Sequence, residues 1–187
     1  MGRKEIRIAG FGGQGVVLSG NIVGKAAAIY DNGFAALMQS YGPESRGGSC
    51  RAEAVISDAP IDYPYAVSPG VQIILSQEAY AEYGRKAPPG TLLIVDSDLV
   101  SVDPSQNPKP LSIPASHMAQ EMGRPVVANI IMLGFLAATS DVVSVEALKK
   151  AILDSIPEGT ESLNMKAFEL GYNYGIEHGR NAGQQRT

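Results

Sequence analysis

The chain holds one cysteine, Cys50, and no tryptophan. A single thiol closes no internal disulfide, and it cannot hold an iron–sulfur cluster, which takes about four ligands. The two histidines, His117 and His178, lie far apart and form no metal-binding spacing. Aromatic residues make up 6% of the sequence, too few for a base-stacking surface, and the formal net charge of −4 leaves no basic stripe for nucleic acid. No apolar run reaches the roughly 20 residues of a membrane span. The start, MGRKEIRIAG, passes straight into a strand pattern without the apolar segment of a signal peptide. Together these features predict a cytoplasmic protein that binds neither nucleic acid nor membrane. Also missing are a Ser/His/Asp set and a GDG…N segment of the kind that holds a diphosphate through magnesium, so no catalytic residue and no metal site is assigned.

With 187 residues, of which 44% are apolar, the chain can bury the core of one domain. That domain is expected over residues 1–178, with 179–187 a flexible tail. Ile6 to Ala9 read as a strand ending in a glycine turn. A helix follows over about 15–30, with Leu18, Ile22, Ala26 and Ile29 at helical spacing and Gly20, Gly24 and Ala28 as a small-residue stripe. FAALMQS reads as a second strand, expected beside the first. CRAEAVIS alternates, Cys50, Ala52, Ala54 and Ile56 against Arg51, Glu53, Val55 and Ser57, the pattern of an antiparallel or near-edge strand with one wetter face. VQIILS and TLLIVD read as strands covered on both faces. Ser76 is placed to cap the helix that ends near Gly84.

Four prolines within 104–114 predict an irregular excursion or a short edge strand. A short helix follows at 116–123. VANIIMLGFLAAT is apolar nearly all round, which suits a central core helix or an interface. A further helix buries Val145, Leu148 and Ile152, and the last, over about 161–178, carries Leu163, Ala167, Leu170 and Tyr174 on one stripe. The expected fold is α/β and Rossmann-like: a mainly parallel sheet with helices on both faces and an antiparallel edge strand.

Gly10, Gly12 and Gly15 satisfy G-x-G-x-x-G between a strand and a helix. In a dinucleotide site the first glycine permits the turn, the second lets the ligand approach, and the third lets helix and strand pack, while helix-start amides hold an anion. The acid that would hold a ribose at the end of the second strand is missing. That strand ends in Gln39, Ser40 and Tyr41; Glu44 lies beyond Pro43, and Asp31 falls at the wrong end. Two readings therefore stand level, a close-packed turn and an anionic-ligand site, with nicotinamide binding well behind.

A second loop, SYGPESRGG, is punctuated by Gly42-Pro43 and Gly47-Gly48 around Glu44, Ser45 and Arg46. Read alone, Glu44 and Arg46 make a solvated pair worth little. Following a strand beside the first, the loop should emerge at the carboxyl edge of the sheet with the glycine turn, where open α/β sheets bind ligands.

GFGGQGV followed by SYGPESRGG and a strand resembles the gamma subunit of the 2-oxoacid:ferredoxin oxidoreductases, most sharply over residues 6–57; VANIIMLG, with Asn129 and Gly134, fits a later segment of that family. The resemblance implies a non-catalytic subunit of an enzyme that decarboxylates a 2-oxoacid oxidatively to an acyl-CoA and reduces ferredoxin. It places thiamine diphosphate and magnesium on alpha/beta subunits, iron–sulfur clusters on cysteine-rich subunits such as a ferredoxin-like delta, and coenzyme A near this chain, with ferredoxin an indirect partner. By the same resemblance the rim residues are Gly10, Gly12, Gly13, Gln14 and Gly15 of the turn and Tyr41, Gly42, Pro43, Glu44, Arg46, Gly47 and Gly48 of the loop. The sequence leaves open whether the isolated chain forms a homodimer through surfaces normally covered. A stand-alone nucleotide-binding protein and a purely structural assembly module are the rival readings.

Overall fold

The computed structural model describes residues 2–42 and 48–183. Its elements run β1 (Lys4–Phe11), α1 (Val16–Lys25) continued by a π-helical turn (Ala26–Tyr30), β2 (Phe34–Tyr41), β3 (Ser49–Ser57), β4 (Val71–Ile74), α2 (Gln77–Ala79) continued by a second π-helical turn (Tyr80–Gly84), β5 (Leu92–Asp96), β6 (Leu111–Ile113), α3 (Ala115–Glu121), a 3₁₀ turn (Pro125–Val127), α4 (Ala128–Thr139), α5 (Val145–Leu153) and α6 (Glu161–Gly183). The strands form one sheet in the order β2-β3-β1-β4-β5-β6. β1, β4, β5 and β6 are parallel, while β3 runs antiparallel to both its neighbours.

The second strand does not lie beside the first, as the sequence suggested. β3 folds back between them, so the antiparallel strand is internal and β2 takes the edge. Because β2 and β1 are each antiparallel to β3, they point the same way, and both end at the rim where β3 begins. The proline-rich stretch supplies the opposite edge, the three-residue β6.

One face of the sheet is thickly covered. Ile6, Ile8, Ile73 and Ile94 meet the buried sides of α1, α3, α4, α5 and α6 in the main core. Side chains alternate along a strand, so Ile74, Leu93 and Val95 face the other way, under Ala79 and Tyr80 of the α2 segment. Helices therefore lie on both faces, but very unequally. α4 is a core helix, with Asn129 to Leu136 all buried. It meets α6 at glycine-width distance: a methyl group on Gly171 would strike the Ile131 carbonyl, and one on Gly134 the Phe168 carbonyl.

Two helical stripes come out rotated from their expected positions. In α1, Ile22 and Ala26 are buried, but Leu18 and Ile29 are exposed and Ala28 faces outward. Val23 and Ala27 take the inward positions, as the helix widens into its π turn. In α6, Ala167 is buried as expected, whereas Leu163 and Tyr174 are half-buried and Leu170 is exposed; Asn164 and Phe168 fill the core-facing positions. α6 also runs five residues past its expected end, to Gly183. Glu53, assigned to the wetter face of β3, is buried there against Arg7.

Candidate functional site

The rim lies where β1, β2, β4 and β5 end. After Phe11 the backbone turns through Gly13 at φ 96° and Gly15 at φ 73°, the left-handed region that excludes most side chains. Gly15 occupies the N-cap position of α1 without a side-chain cap, and the first turn carries no acid. Asn129 presses on Gly15 from α4: its Nδ2 would lie 2.5 Å from a Cβ there. The third glycine of the motif thus permits helix–helix contact at the turn.

Gln14 closes the turn from inside. Its Oε1 accepts from the Phe11 amide at 2.6 Å, and its Nε2 donates to the Leu75 carbonyl at 2.8 Å. The side chain lies over Gly10, where a Cβ would collide with Oε1 and sit 2.8 Å from Cβ of Leu75. Gly10 is therefore small because Gln14 and Leu75 need its space.

The flanks of the second loop, Gly42 and Gly48, lie at the same edge as the turn, though by a different route than expected. The Gly12 amide donates to the Gly48 carbonyl at 2.9 Å, and the Gly42 amide to the Ser49 carbonyl at 2.7 Å. The interposed β3 makes this possible, since Ser49 pairs with Phe11 and Cys50 with Gly10 at the strand ends. Tyr41 is exposed beside Gly42. Pro43, Glu44, Arg46 and Gly47 lie outside the described residues.

Two hollows open on either side of the glycine turn. One, of about 210 Å³, is lined by Gly10, Tyr41, Gly42, Ser49, Arg51 and Tyr83. Arg51 donates to the Tyr83 hydroxyl at 3.0 Å, and Arg7 stacks over the Tyr83 ring at 4.7 Å while bonding Glu53 at 2.7 Å. Cys50 also borders this hollow, but its thiol is buried and burial pushes its pKa up, the opposite of an activated nucleophile.

The other hollow, of about 130 Å³, is lined by Gly13, Gln14, Asp96, Ser116, Val126 and Asn129. Asp96 ends β5 and is almost wholly buried. Its carboxylate accepts from the Asp98 amide at 3.1 Å, the Ser116 amide at 3.0 Å and the Ser116 hydroxyl at 2.7 Å. Desolvation outweighs these bonds and raises its pKa. Asp98 accepts from the His117 amide at 2.7 Å, so two carboxylates, one ending β5 and one just past it, satisfy the start of α3, whose own N-cap is Pro114. α4 begins at the same hollow, with neither a side-chain cap nor an acid in its first turn.

The sequence reading found the turn and the second loop and named Asn129 only as a family match, without a place at the rim; it missed Asp96, Ser116 and Tyr83. An acid ending the apolar run TLLIVD was the available signal for Asp96; the others come together only through topology. The topology also tells against a nicotinamide site. β2, whose tip would carry the ribose acid, is one strand removed from β1 and ends in Gln39, Ser40 and Tyr41. Among the described residues no group of three His, Cys, Asp or Glu side chains is placed to hold a metal ion, and no helix is long and apolar enough to cross a membrane.

Residues 5–174 match the family model described as pyruvate ferredoxin/flavodoxin oxidoreductase. The 2-oxoglutarate synthase subunit KorC of Methanocaldococcus jannaschii is 50% identical over 173 residues, covering 91% of this chain and 92% of that protein. The crystal structure of the keto/oxoacid ferredoxin oxidoreductase gamma subunit from Geobacter sulfurreducens PCA superposes with a TM-score of 0.85 at 41% identity, covering 95% of this chain and 99% of that one. The 2-oxoglutarate:ferredoxin oxidoreductase of Magnetococcus marinus, solved with 2-oxoglutarate, coenzyme A and succinyl-CoA bound, shares the fold at a TM-score of 0.84 and 24% identity, over 95% of this chain and 32% of the longer one.

Proposed function

This chain belongs to the pyruvate ferredoxin/flavodoxin oxidoreductase family, as a gamma subunit of a 2-oxoacid:ferredoxin oxidoreductase, and from that premise we propose that its rim packs beside the thiamine diphosphate and coenzyme A site of the assembled enzyme. There it supports oxidative decarboxylation of a 2-oxoacid to an acyl-CoA with reduction of ferredoxin. The substrate we propose is 2-oxoglutarate, for which the M. jannaschii relative is named. The chain's one thiol is buried with its pKa raised, which does not fit a cluster ligand. By the family resemblance, thiamine diphosphate, magnesium and the iron–sulfur clusters are assigned to the alpha, beta and delta subunits, and the chemistry to them.

One observation carries the reading: the Gly12–Gly48 hydrogen bond draws both glycine-framed loops to a single rim. The start of α1, with no side-chain cap and no acid in its first turn, lies at the same rim and favours an anion such as a coenzyme A phosphate. By the family resemblance Pro43, Glu44, Arg46 and Gly47 are assigned to the coenzyme A side of the subunit, with Arg46 directed to those phosphates or to a partner carboxylate.

A second reading, a rim that only contacts a neighbouring subunit, is favoured by Gln14 satisfying the turn with protein groups. Gly13→Asp separates the two. It adds a negative charge at an exposed position where a Cβ meets nothing within 4 Å. The coenzyme A reading expects the KM for coenzyme A to rise at least about tenfold in an intact complex, since 1.4 kcal/mol of lost binding is tenfold. Lost assembly, with unchanged coenzyme A kinetics in the remaining complex, overturns it in favour of the contact reading.

A further inference from the structure

We propose that Gln14 is a positioning residue of the assembled enzyme: it braces the glycine turn against the β4–α2 turn and so sets the rim on which coenzyme A rests, without touching the ligand. The inference rests on the reading of the rim given above and adds a residue-level device to it. β1 and β4 are neighbours whose connections leave in opposite directions, α1 toward β2 and α2 toward β5. Open α/β sheets take their ligands at such a switch point. Here the Gln14 side chain spans that crevice, reaching from Phe11 in the first turn to Leu75 in the second.

Only a primary amide of this length does both jobs. It accepts from the Phe11 amide and donates to the Leu75 carbonyl, so both of its polar ends are used and the crevice is filled by protein. Glutamate would keep the acceptor but face the Leu75 carbonyl with a carboxylate oxygen, which has no proton to donate. Asparagine is one methylene short. Methionine fills the volume and makes neither bond. The brace also accounts for Gly10: any side chain there would displace Oε1. With Gly12 bonded to Gly48, the brace completes a chain of contacts that runs from the Leu75 turn through the glycine turn to the second loop.

The test uses the full co-expressed complex carrying Gln14→Met, with Gln14→Glu as a second variant. Steady-state kinetics with coenzyme A and 2-oxoglutarate are measured beside hydrogen–deuterium exchange of the peptide containing Phe11. For Gln14→Met the expected result is faster exchange of that peptide, a KM for coenzyme A raised about tenfold, and kcat and the KM for 2-oxoglutarate within about twofold of wild type. Gln14→Glu is expected to raise the same KM further, because it adds negative charge near the phosphates. Unchanged exchange in both variants overturns the brace itself. Faster exchange with an unmoved KM for coenzyme A leaves the brace standing and overturns the coenzyme A reading of the rim. Failure of both variants to assemble, or a parallel loss of kcat and both KM values, makes Gln14 a structural residue only and overturns the positioning role.

Discussion

The Gly12 amide and the Gly48 carbonyl, 36 positions apart along the chain, meet at 2.9 Å and tie the glycine turn to the foot of the second loop. Neither residue offers a side chain, so the rim is built largely from backbone. Gly12→Pro removes the donor and sets its ring against the Gly48 carbonyl. It should lower stability by more than about 1 kcal/mol, the net worth of the hydrogen bond alone, and raise the KM for coenzyme A in the complex. Thermal melting of the chain and coenzyme A titration of the complex check the two effects separately.

Gly15 and Gly13 both sit at positive φ, but only Gly15 faces a neighbour. Gly13→Ala should cost about 1–2 kcal/mol, the left-handed penalty alone. Gly15→Ala adds a collision with Asn129 and should cost about 3 kcal/mol or more. At about 2–4 °C per kcal/mol for a domain of this size, the two melting temperatures should separate by several degrees. Equal shifts would mean that Asn129 yields freely.

The α4–α6 contact makes a third prediction. Gly171→Ala and Gly134→Ala each place a methyl group on a backbone carbonyl of the facing helix, which cannot rotate away. Each should destabilise by about 1–3 kcal/mol. The double variant should cost less than the sum, because one separation of the helices relieves both clashes. Chemical denaturation of the four proteins in the cycle measures the coupling.

Two carboxylates, half-buried Glu5 and buried Asp96, give stability opposite pH dependences. Burial alone would push Glu5 up, but the Ser68 amide, the Arg3 guanidinium and the Val67 amide bond its ionised form and hold it below the usual carboxylate value. Its contribution is therefore full above the unfolded carboxylate pKa and fades as pH falls through the lowered folded value. The melting deficit of Glu5→Gln should be largest at neutral pH and shrink as pH falls through the lowered folded value. Asp96, raised by desolvation, holds its proton more tightly when folded. Its contribution to stability declines as pH rises from the unfolded value through the raised folded one. Melting curves of both single variants across this range test the two signs.

Much of the rim was legible in the sequence because it is local: GFGGQG is a turn by composition, and its glycines sit at the strain and contact points that the motif implies. Cys50 read correctly as a core residue for the same reason, lying in an alternating strand. The place of β3 was not legible, because nothing in FAALMQS or CRAEAVIS states which strand each will pair with; that choice is made by the β2–β3 hairpin docking as a unit. Leu18, Ile29 and Leu170 were placed inside because ideal helical spacing ignores where a helix widens or tilts against its neighbour. Asn129 meets Gly15 across more than a hundred residues, and no spacing rule reaches that far. The α6 seam did leave a trace, glycines at 171, 175 and 179, one per turn.

Both ends of the connection between β2 and β3 are anchored by main chain alone: Gly42 is tied to Ser49, and Gly48 to Gly12. Such footings hold whatever side chains the sequence carries between them, so substitutions within 43–47 leave them in place.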